Sequence, residues 1–269
     1  MTYYEDRNVL ITGGAGGIGL LMAELIGKAG GNIIIWDNNQ QNMIDAQKRL
    51  NELKINAAFF HCDLSSRDEI NKAAEETLKR HRYVDILINN AGYVSGKEFE
   101  KCTEEEMEFT FKVNTLAHFY TVRAFLPGME DAGFGQIVTI ASAAALIGTS
   151  GLADYSASKF AVAGFTESLR AEFRRKKKNI KTTLVCPYYI NTGMFDGVKT
   201  RFSFLLPILE PEKVAKKVVK AIAKQRVRIY MPWIVYTVHL VKFLPMPIFD
   251  FVAGLLGLQQ AMNNFKGRK

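Results

Sequence analysis

Short apolar runs alternate with helix-length polar segments along the first half of the chain. The runs lie at residues 9–11, 33–36, 57–60 and 84–88. Parallel strands need a crossover connection of a dozen or more residues, which is usually a helix. This spacing therefore predicts βαβ units. Because the runs are rich in Val, Ile and Leu and do not alternate with polar residues, they predict strands covered by helices on both faces.

The alternation continues towards the C-terminus. We expect further strands at residues 136–140, 182–186 and 227–230. Helices are predicted at residues 18–28, 40–54, from about 64 to 82, 153–174 and 211–225. No internal repeat or low-complexity linker suggests a second unit, so we predict one α/β domain over residues 1–269, a doubly wound parallel sheet. Its C-terminal part carries a hydrophobic segment at about residues 230–262.

A glycine-rich turn follows the first predicted strand, at residues 12–19 (TGGAGGIG). Its glycines fit two registers, G-x-G-x-x-G beginning at Gly14 and T-G-x-x-x-G-x-G beginning at Thr12. Glycines between a strand and a helix let the backbone approach a pyrophosphate, whose charge sits at the helix N-terminus. The turn therefore indicates a dinucleotide site, with a plain tight turn as the alternative.

Asp37 ends the second predicted strand, 18 residues after Gly19. An acidic residue at about this distance binds the adenosine ribose hydroxyls in dinucleotide-binding units. A carboxylate there repels a 2′-phosphate, and residues 38–42 (NNQQN) include no Arg or Lys to bind one. We therefore predict NAD rather than NADP. The alternative is that Asp37 only caps the helix that begins at Gln40.

Tyr155 and Lys159 stand four residues apart on a predicted helix, so both lie on one face. A phenol is a poor base at neutral pH, and a nearby ammonium would lower its pKa to suit acid–base catalysis. Ser142 ends the preceding strand, and its hydroxyl would hydrogen-bond a substrate oxygen. Taken alone, Y-x-x-x-K is more often a solvated helix face.

Together these motifs resemble the short-chain dehydrogenase/reductase family, which has a Rossmann-type fold, along nearly the whole chain. Further matches are DL at 63–64, NNAG at 89–92, VN at 113–114 and the segment at 187–192. The resemblance implies that Tyr155 is the acid/base, that Lys159 lowers its pKa, that Ser142 orients the reacting oxygen and that Asn114 anchors a water. It implies cofactor contacts from Gly13, Gly17, Ile18, Gly19, Asp37, Asp63, Leu64, Asn90, Ala91, Gly92, Tyr155, Lys159, Pro187, Ile190 and Thr192. Tyr188 departs from the glycine that many members carry.

Residues 186–195 and 206–212 resemble one branch of the family, the epidermal and type-10 retinol dehydrogenases and the 17β-hydroxysteroid dehydrogenases of types 11 and 13. The branch implies an oxidoreductase for a lipophilic alcohol or ketone, at endoplasmic reticulum or lipid-droplet surfaces. With the NAD preference expected from Asp37, we predict an NAD-dependent enzyme of this kind. We expect a hydrophobic lid formed by Phe195, Phe202, Phe204, Leu205 and Leu206. A 3-oxoacyl thioester reductase and a non-catalytic NAD-binding scaffold at a lipid surface are the alternatives.

The charge and the cysteine content limit which partners and metal sites the chain can have. The chain has 35 basic and 27 acidic residues, but no nucleic-acid motif accompanies its basic clusters, so no nucleic-acid partner is expected. Its three cysteines show no metal-ligand spacing, so we expect no metal and a cytoplasmic location.

Between residues 230 and 262 the only formal charges are Lys242 and Asp250. That segment predicts peripheral membrane contact, a dimer interface or a flap over the substrate. The resemblance implies a homodimer or homotetramer.

Overall fold

The computed structural model describes residues 3–267. Its strands are β1 (Asn8–Thr12), β2 (Asn32–Asp37), β3 (Ala57–His61), β4 (Ile86–Asn89), β5 (Gly135–Ile140), β6 (Ile180–Pro187) and β7 (Arg228–Met231). Its α-helices are α1 (Gly17–Gly27), α2 (Gln40–Glu52), α3 (Arg67–His81), α4 (Glu104–Phe111), α5 (Ala117–Asp131), α6 (Ala153–Arg175), α7 (Pro211–Ala223), α8 (Val238–Val241) and α9 (Met246–Leu255).

All strands of the described residues form one parallel sheet in the order β3-β2-β1-β4-β5-β6-β7. The predicted doubly wound parallel sheet is therefore confirmed, and every predicted strand lies within two residues of the observed one. Strand β2 shows why the four residues in the middle of a strand are all apolar. Ile33 and Ile35 enter the core on one face of the sheet, whereas Ile34 and Trp36 enter the core on the other.

Helices α4 and α5 are a difference from the sequence analysis, which assigned no helix between residues 92 and 136. A π-helical turn, Lys112–Leu116, joins them, so the helical period is interrupted in the middle. Pro127 lies inside α5, and aromatic side chains such as Phe119 remain on its outer face. The pattern therefore lacks the single apolar stripe that marks an amphipathic helix.

The hydrophobic C-terminal segment forms a 3₁₀ turn, Trp233–Thr237, followed by α8 and α9. Pro245 caps α9 and Pro247 lies in its first turn, a position where proline is tolerated. No helix within residues 3–267 combines the length and the apolar character that crossing a membrane requires.

The strand order changes direction between β1 and β4, because β2 and β3 continue on one side and β5 to β7 on the other. In open α/β sheets, ligands bind at such a switch point, beyond the carboxyl ends of the strands. The turn after β1, the end of β4 and the end of β5 all meet there.

Candidate active site

A cleft of about 400 Å³ lies at the carboxyl ends of the strands. Most of the predicted site residues line it: Gly13, Gly17, Ile18, Asp37, Asp63, Leu64, Asn90, Ala91, Gly92, Ser142, Tyr155, Lys159, Pro187, Ile190 and Thr192. Gly19 and Asn114 do not line it. Residues from seven separate stretches of sequence are thus brought together along one groove.

The glycine-rich turn places Gly13, Gly16 and Gly17, which have no side chains, along the cleft. Gly13 and Gly17 have φ angles of +60° and +52°, the left-handed region that favours glycine. Both belong to the register that begins at Thr12, which the structure therefore favours. Gly19 has a packing role, since a Cβ there would lie 2.3 Å from the Gly13 carbonyl oxygen. Helix α1 begins with Gly16 as its N-cap and no side-chain cap, so its first N–H groups suit an anion.

Thr12 and Asn90 hold this turn against the end of β4. The Thr12 hydroxyl accepts the N–H groups of Asn90 and Ala91, at 3.0 and 3.2 Å. The Asn90 amide donates to the carbonyls of Thr12 and Gly13, at 3.0 and 3.1 Å. Asn90 therefore holds the glycine-rich turn in place by hydrogen bonds from the end of β4. Thr12 was not among the predicted site residues, although it opens the T-G motif.

Asp37 faces the cleft and also supports the glycine-rich turn. One carboxylate oxygen accepts the Ala15 N–H at 3.1 Å, and the other accepts the Asn39 N–H at 3.0 Å. The cap of α2 is Asn39, whose side chain accepts the Asn42 N–H at 2.9 Å. The alternative that Asp37 only caps this helix is therefore wrong.

Tyr155 and Lys159 lie on α6 with 4% and 3% of their surfaces exposed. The Lys159 ammonium nitrogen lies 5.6 Å from the centre of the Tyr155 ring and donates to the Ile140 carbonyl oxygen at 3.2 Å. Ser142 lies just after β5, where its hydroxyl accepts the Ala144 N–H at 3.1 Å. The end of β5 thus fixes both the lysine and the serine beside the tyrosine.

The pKa values in this pair differ from the sequence-based expectation. Burial raises the pKa of Tyr155 to about 12, although the Ser142 hydroxyl opposes the rise. Burial also lowers the pKa of Lys159 to about 8. The lowering of the phenol pKa by Lys159 that the resemblance implies is therefore not observed, because desolvation penalises the charged form of each group.

Asn114 lies in the π-helical turn and is fully buried. Its side chain accepts the Tyr93 N–H at 2.7 Å and donates to the Tyr93 carbonyl at 2.8 Å and the Ser158 hydroxyl at 3.0 Å. These bonds join the loop after β4 to α6, next to Lys159. Asn114 therefore holds α6 against this loop, and its expected link to a water stays a prediction.

Aromatic side chains line the end of the cleft opposite the glycine-rich turn. The Phe195 ring meets the rings of Tyr155, Tyr189 and Phe265 edge-on, at centroid distances of 5.7, 5.0 and 6.4 Å. Phe265 and Met262 bring the C-terminal tail into this cluster. The sequence analysis missed this contact because it joins residues about 70 to 110 positions apart, which no local pattern records.

The predicted hydrophobic lid is correct only in part. Phe195 lines the cleft, whereas Leu205 and Leu206 line a separate cavity and Phe202 lines neither. Phe204 is 85% exposed, so its assignment to the lid is wrong. The chain turns between Arg201 and Leu206, and this turn directs the Phe204 side chain away from the cleft.

Asp154, beside Tyr155, is another residue that the sequence analysis missed. It is buried and accepts hydrogen bonds from the Ser95 and Thr110 hydroxyls, at 2.9 and 2.7 Å. It thereby fixes the first turn of α6 against α4. An acidic residue directly before the tyrosine, in the first turn of a helix, was the only signal.

Comparison with known proteins agrees with this geometry. Residues 7–201 match the family model for short chain dehydrogenase. Epidermal retinol dehydrogenase 2 of Homo sapiens is 42% identical over 264 residues, which cover 97% of this chain and 85% of that protein. Retinol dehydrogenase 10 of Homo sapiens is 36% identical over 285 residues, covering 95% and 84%.

Solved structures show the same fold. A short-chain dehydrogenase/reductase from Burkholderia phymatum, in complex with NAD, superposes with a TM-score of 0.81 at 25% identity, covering 90% of this chain and 95% of that one. A metagenomic short-chain oxidoreductase in complex with NADP gives 0.71 at 25% identity, covering 85% and 97%. The expected family and enzyme class are confirmed. The chain belongs to the short-chain dehydrogenase family and is an oxidoreductase.

Proposed function

We propose that the protein is an NAD-dependent oxidoreductase that interconverts a lipophilic alcohol of the retinol type and its carbonyl, with Tyr155 as acid/base. One observation carries the proposal. The buried Tyr155–Lys159 pair lies between an anion-binding glycine turn and an aromatic pocket, within a single cleft. A cofactor and an apolar substrate would therefore meet at the phenol.

The glycine-rich end fits a nicotinamide dinucleotide, which when bound supplies hydride transfer. The N–H groups at the start of α1 would bind its pyrophosphate, and Asp37 would accept its adenosine ribose hydroxyls. Among the described residues that line the cleft, Lys159 is the only cation, and it lies at the catalytic end. Because no Arg or Lys there stands beside Asp37, the site favours NAD over the phosphorylated form.

The proton step belongs to residues of the chain. In the oxidative direction the Tyr155 phenolate removes the hydroxyl proton of the alcohol, and in the reductive direction the phenol returns it. The Ser142 hydroxyl donates a hydrogen bond to the substrate oxygen. Lys159 offsets the phenolate charge in a site where burial otherwise opposes ionisation.

Two findings support a lipophilic substrate. The substrate end of the cleft is lined by aromatic and aliphatic side chains, among them Tyr189, Phe195, Leu152 and Ile147. The curated relatives include retinol dehydrogenases of 34 to 42% identity. An apolar pocket of this kind suits a retinoid or a steroid better than a sugar.

The exposed face of the C-terminal helices supports contact with a lipid surface. Large apolar side chains face solvent there: Trp233, Leu240, Phe243, Met246, Ile248, Phe251 and Leu255. Helices of this kind lie in the plane of a membrane interface. We therefore propose a cytoplasmic protein that rests on the surface of the endoplasmic reticulum or a lipid droplet. Phe243→Ser with Phe251→Ser should then reduce co-sedimentation with phospholipid vesicles, and equal binding would contradict the assignment.

A second exposed apolar face supports a homodimer or homotetramer. It consists of Phe109, Leu116, Phe119 and Phe160, on α4 to α6. The Phe119 ring stacks on Phe165 with 3.9 Å between centroids. Light scattering should give at least twice the mass of one chain, and Phe119→Glu should reduce it. A monomeric wild type would contradict this assignment.

The test is formation of NADH from NAD, or of NADPH from NADP, by the purified protein with all-trans-retinol, estradiol, a long-chain alcohol and a 3-hydroxyacyl thioester. We expect turnover of retinol or estradiol with NAD. Turnover of the thioester alone would assign the protein to the 3-oxoacyl thioester reductases. Binding of NAD without turnover of any member would support a non-catalytic scaffold instead.

A further inference from the structure

A second cavity, of about 70 Å³, lies beneath the two C-terminal helices. Helices α8 and α9 contribute one side of it, and the loop before α7 contributes another. The lining side chains from these elements are Val238, Val241, Phe249, Val252, Ala253, Leu256, Leu205 and Leu206. These helices have exposed apolar side chains on their outer faces, and their inner faces line this partly open space.

The lining offers almost nothing for a polar ligand to bind. Among the described residues around the cavity, none is charged and only Tyr188 and Thr237 carry side-chain polar atoms. The Thr237 hydroxyl already donates to the Ile234 carbonyl at 2.7 Å. A buried water needs two to four polar partners, and cavities without them stay dry and take up apolar molecules. The lining of this cavity therefore favours a hydrocarbon ligand over a polar one.

The cavity and the catalytic cleft share three lining residues, Ala143, Ile147 and Tyr188. Ala143 directly follows Ser142, and Tyr188 directly follows Pro187. The two spaces are therefore neighbours at the substrate end of the cleft, far from Asp37. A substrate whose hydroxyl lies at Ser142 and Tyr155 would have its chain directed past Tyr188 towards α9.

We propose that this cavity binds the far, apolar end of the substrate, an alcohol with an alkyl or isoprenoid chain too long for the catalytic cleft alone. The inference rests on the proposed function and names the class of substrate. The cavity has roughly half the volume of a 150 Å³ cavity that accepts benzene, so about three carbon atoms would enter it. Each methylene group that is buried raises the binding constant about fourfold. Three such groups therefore raise it by at most about 60-fold for the full cavity.

A matched series of allylic alcohols tests the inference: prenol, geraniol, farnesol and geranylgeraniol. All four present the same reacting group and differ in chain length. Ala253→Leu fills the cavity, because Ala253 is buried and lines it. Gly254→Leu is the control, since a Cβ added to Gly254 on the same helix meets no atom within 4 Å.

In the wild type and the control, kcat/KM with NAD should rise with chain length. Ala253→Leu should lower kcat/KM by about tenfold or more for geranylgeraniol and by about twofold or less for prenol. The same dependence on chain length in all three proteins would overturn the inference. If Ala253→Leu does not fold, Val238→Phe fills the cavity from α8 and carries the same expectation.

A binding measurement separates this inference from the proposed function. Geranylgeraniol should raise the Tm of the wild type and of Gly254→Leu more than that of Ala253→Leu, with no turnover required. If the wild type oxidises none of the four alcohols but shows this pattern, the proposed function is wrong and the cavity assignment stands. If it oxidises all four equally well and the Tm shifts do not differ, the cavity assignment is wrong and the function stands.

Discussion

Replacing Lys159 with methionine should stabilise the fold while abolishing most of the activity. Lys159 is 3% exposed, and within residues 3–267 its ammonium makes one hydrogen bond, to the Ile140 carbonyl at 3.2 Å. Methionine has a similar length and carries no charge to desolvate. Under the proposed function, the wild-type lysine is kept for its chemistry at a cost in stability, as active-site groups often are.

The pKa of Lys159 sets the size of the effect. Burial lowers it from 10.5 to about 8, and each unit corresponds to about 1.4 kcal/mol. The folded protein below pH 8 therefore bears a penalty on the order of 3 kcal/mol in its free energy of unfolding. The variant also loses the hydrogen bond to the Ile140 carbonyl, which lowers its free energy of unfolding by about 1 kcal/mol. Lys159→Met should consequently gain about 2 kcal/mol at neutral pH.

The sign of the pH dependence follows from the same shift. Between pH 8 and 10.5 the unfolded chain holds the Lys159 proton and the folded chain does not, so the stability of the wild type rises with pH. The advantage of Lys159→Met should shrink across this window, reach zero at about pH 9.5 and reverse by about 1 kcal/mol near pH 10.5, because the burial penalty is then lost and the missing hydrogen bond remains.

Urea unfolding of both proteins, followed by circular dichroism at neutral pH and at two pH values within the window, measures the difference. Lys48→Met, at an exposed position on α2, controls for loss of a surface charge and should change little. A variant less stable than the wild type at neutral pH, or a difference that does not shrink with rising pH, would refute the reasoning.

Two further substitutions test separate parts of the structure. Asp37→Ala with Asn38→Arg should shift cofactor preference towards NADP by about tenfold or more, because a like charge is removed and a cation added beside the expected 2′-phosphate; an unchanged ratio of kcat/KM values would remove Asp37 from this role. Thr77→Val should lower the free energy of unfolding by about 1–3 kcal/mol, since the Trp36 indole N–H donates to the buried Thr77 hydroxyl at 3.0 Å and would lose its acceptor. Urea unfolding checks this, and equal stability would show that the indole finds another acceptor.

The sheet could be predicted from sequence because strands buried on both faces carry their signal locally. Ile33 to Trp36 are apolar whichever face they enter, so the run is visible without knowledge of its neighbours. Helices α4 and α5 could not be predicted in the same way. Their period is interrupted by the π-helical turn, and apolar side chains such as Phe119 lie on the outside.

The site was predictable where its residues follow strands. The turn after β1, Asp37 after β2 and Ser142 after β5 meet at the switch point because all parallel strands end at the same edge. The pKa of Tyr155 was not predictable, since it is raised by burial, and Tyr155 is buried in a cluster that also holds Phe195 and the tail residue Met262. Contacts between such distant parts of the chain leave no trace in local spacing.

Tyr155→Phe, assayed for NADH formation with all-trans-retinol and for NAD binding by fluorescence titration, tests the central claim most directly. Phenylalanine keeps the ring that packs against Phe195 and removes only the hydroxyl. The account predicts unchanged NAD affinity with a loss of about 10²–10⁴-fold in kcat, the range that general acid–base groups contribute. A variant that binds NAD and retains wild-type turnover would show that the proton is transferred by another group.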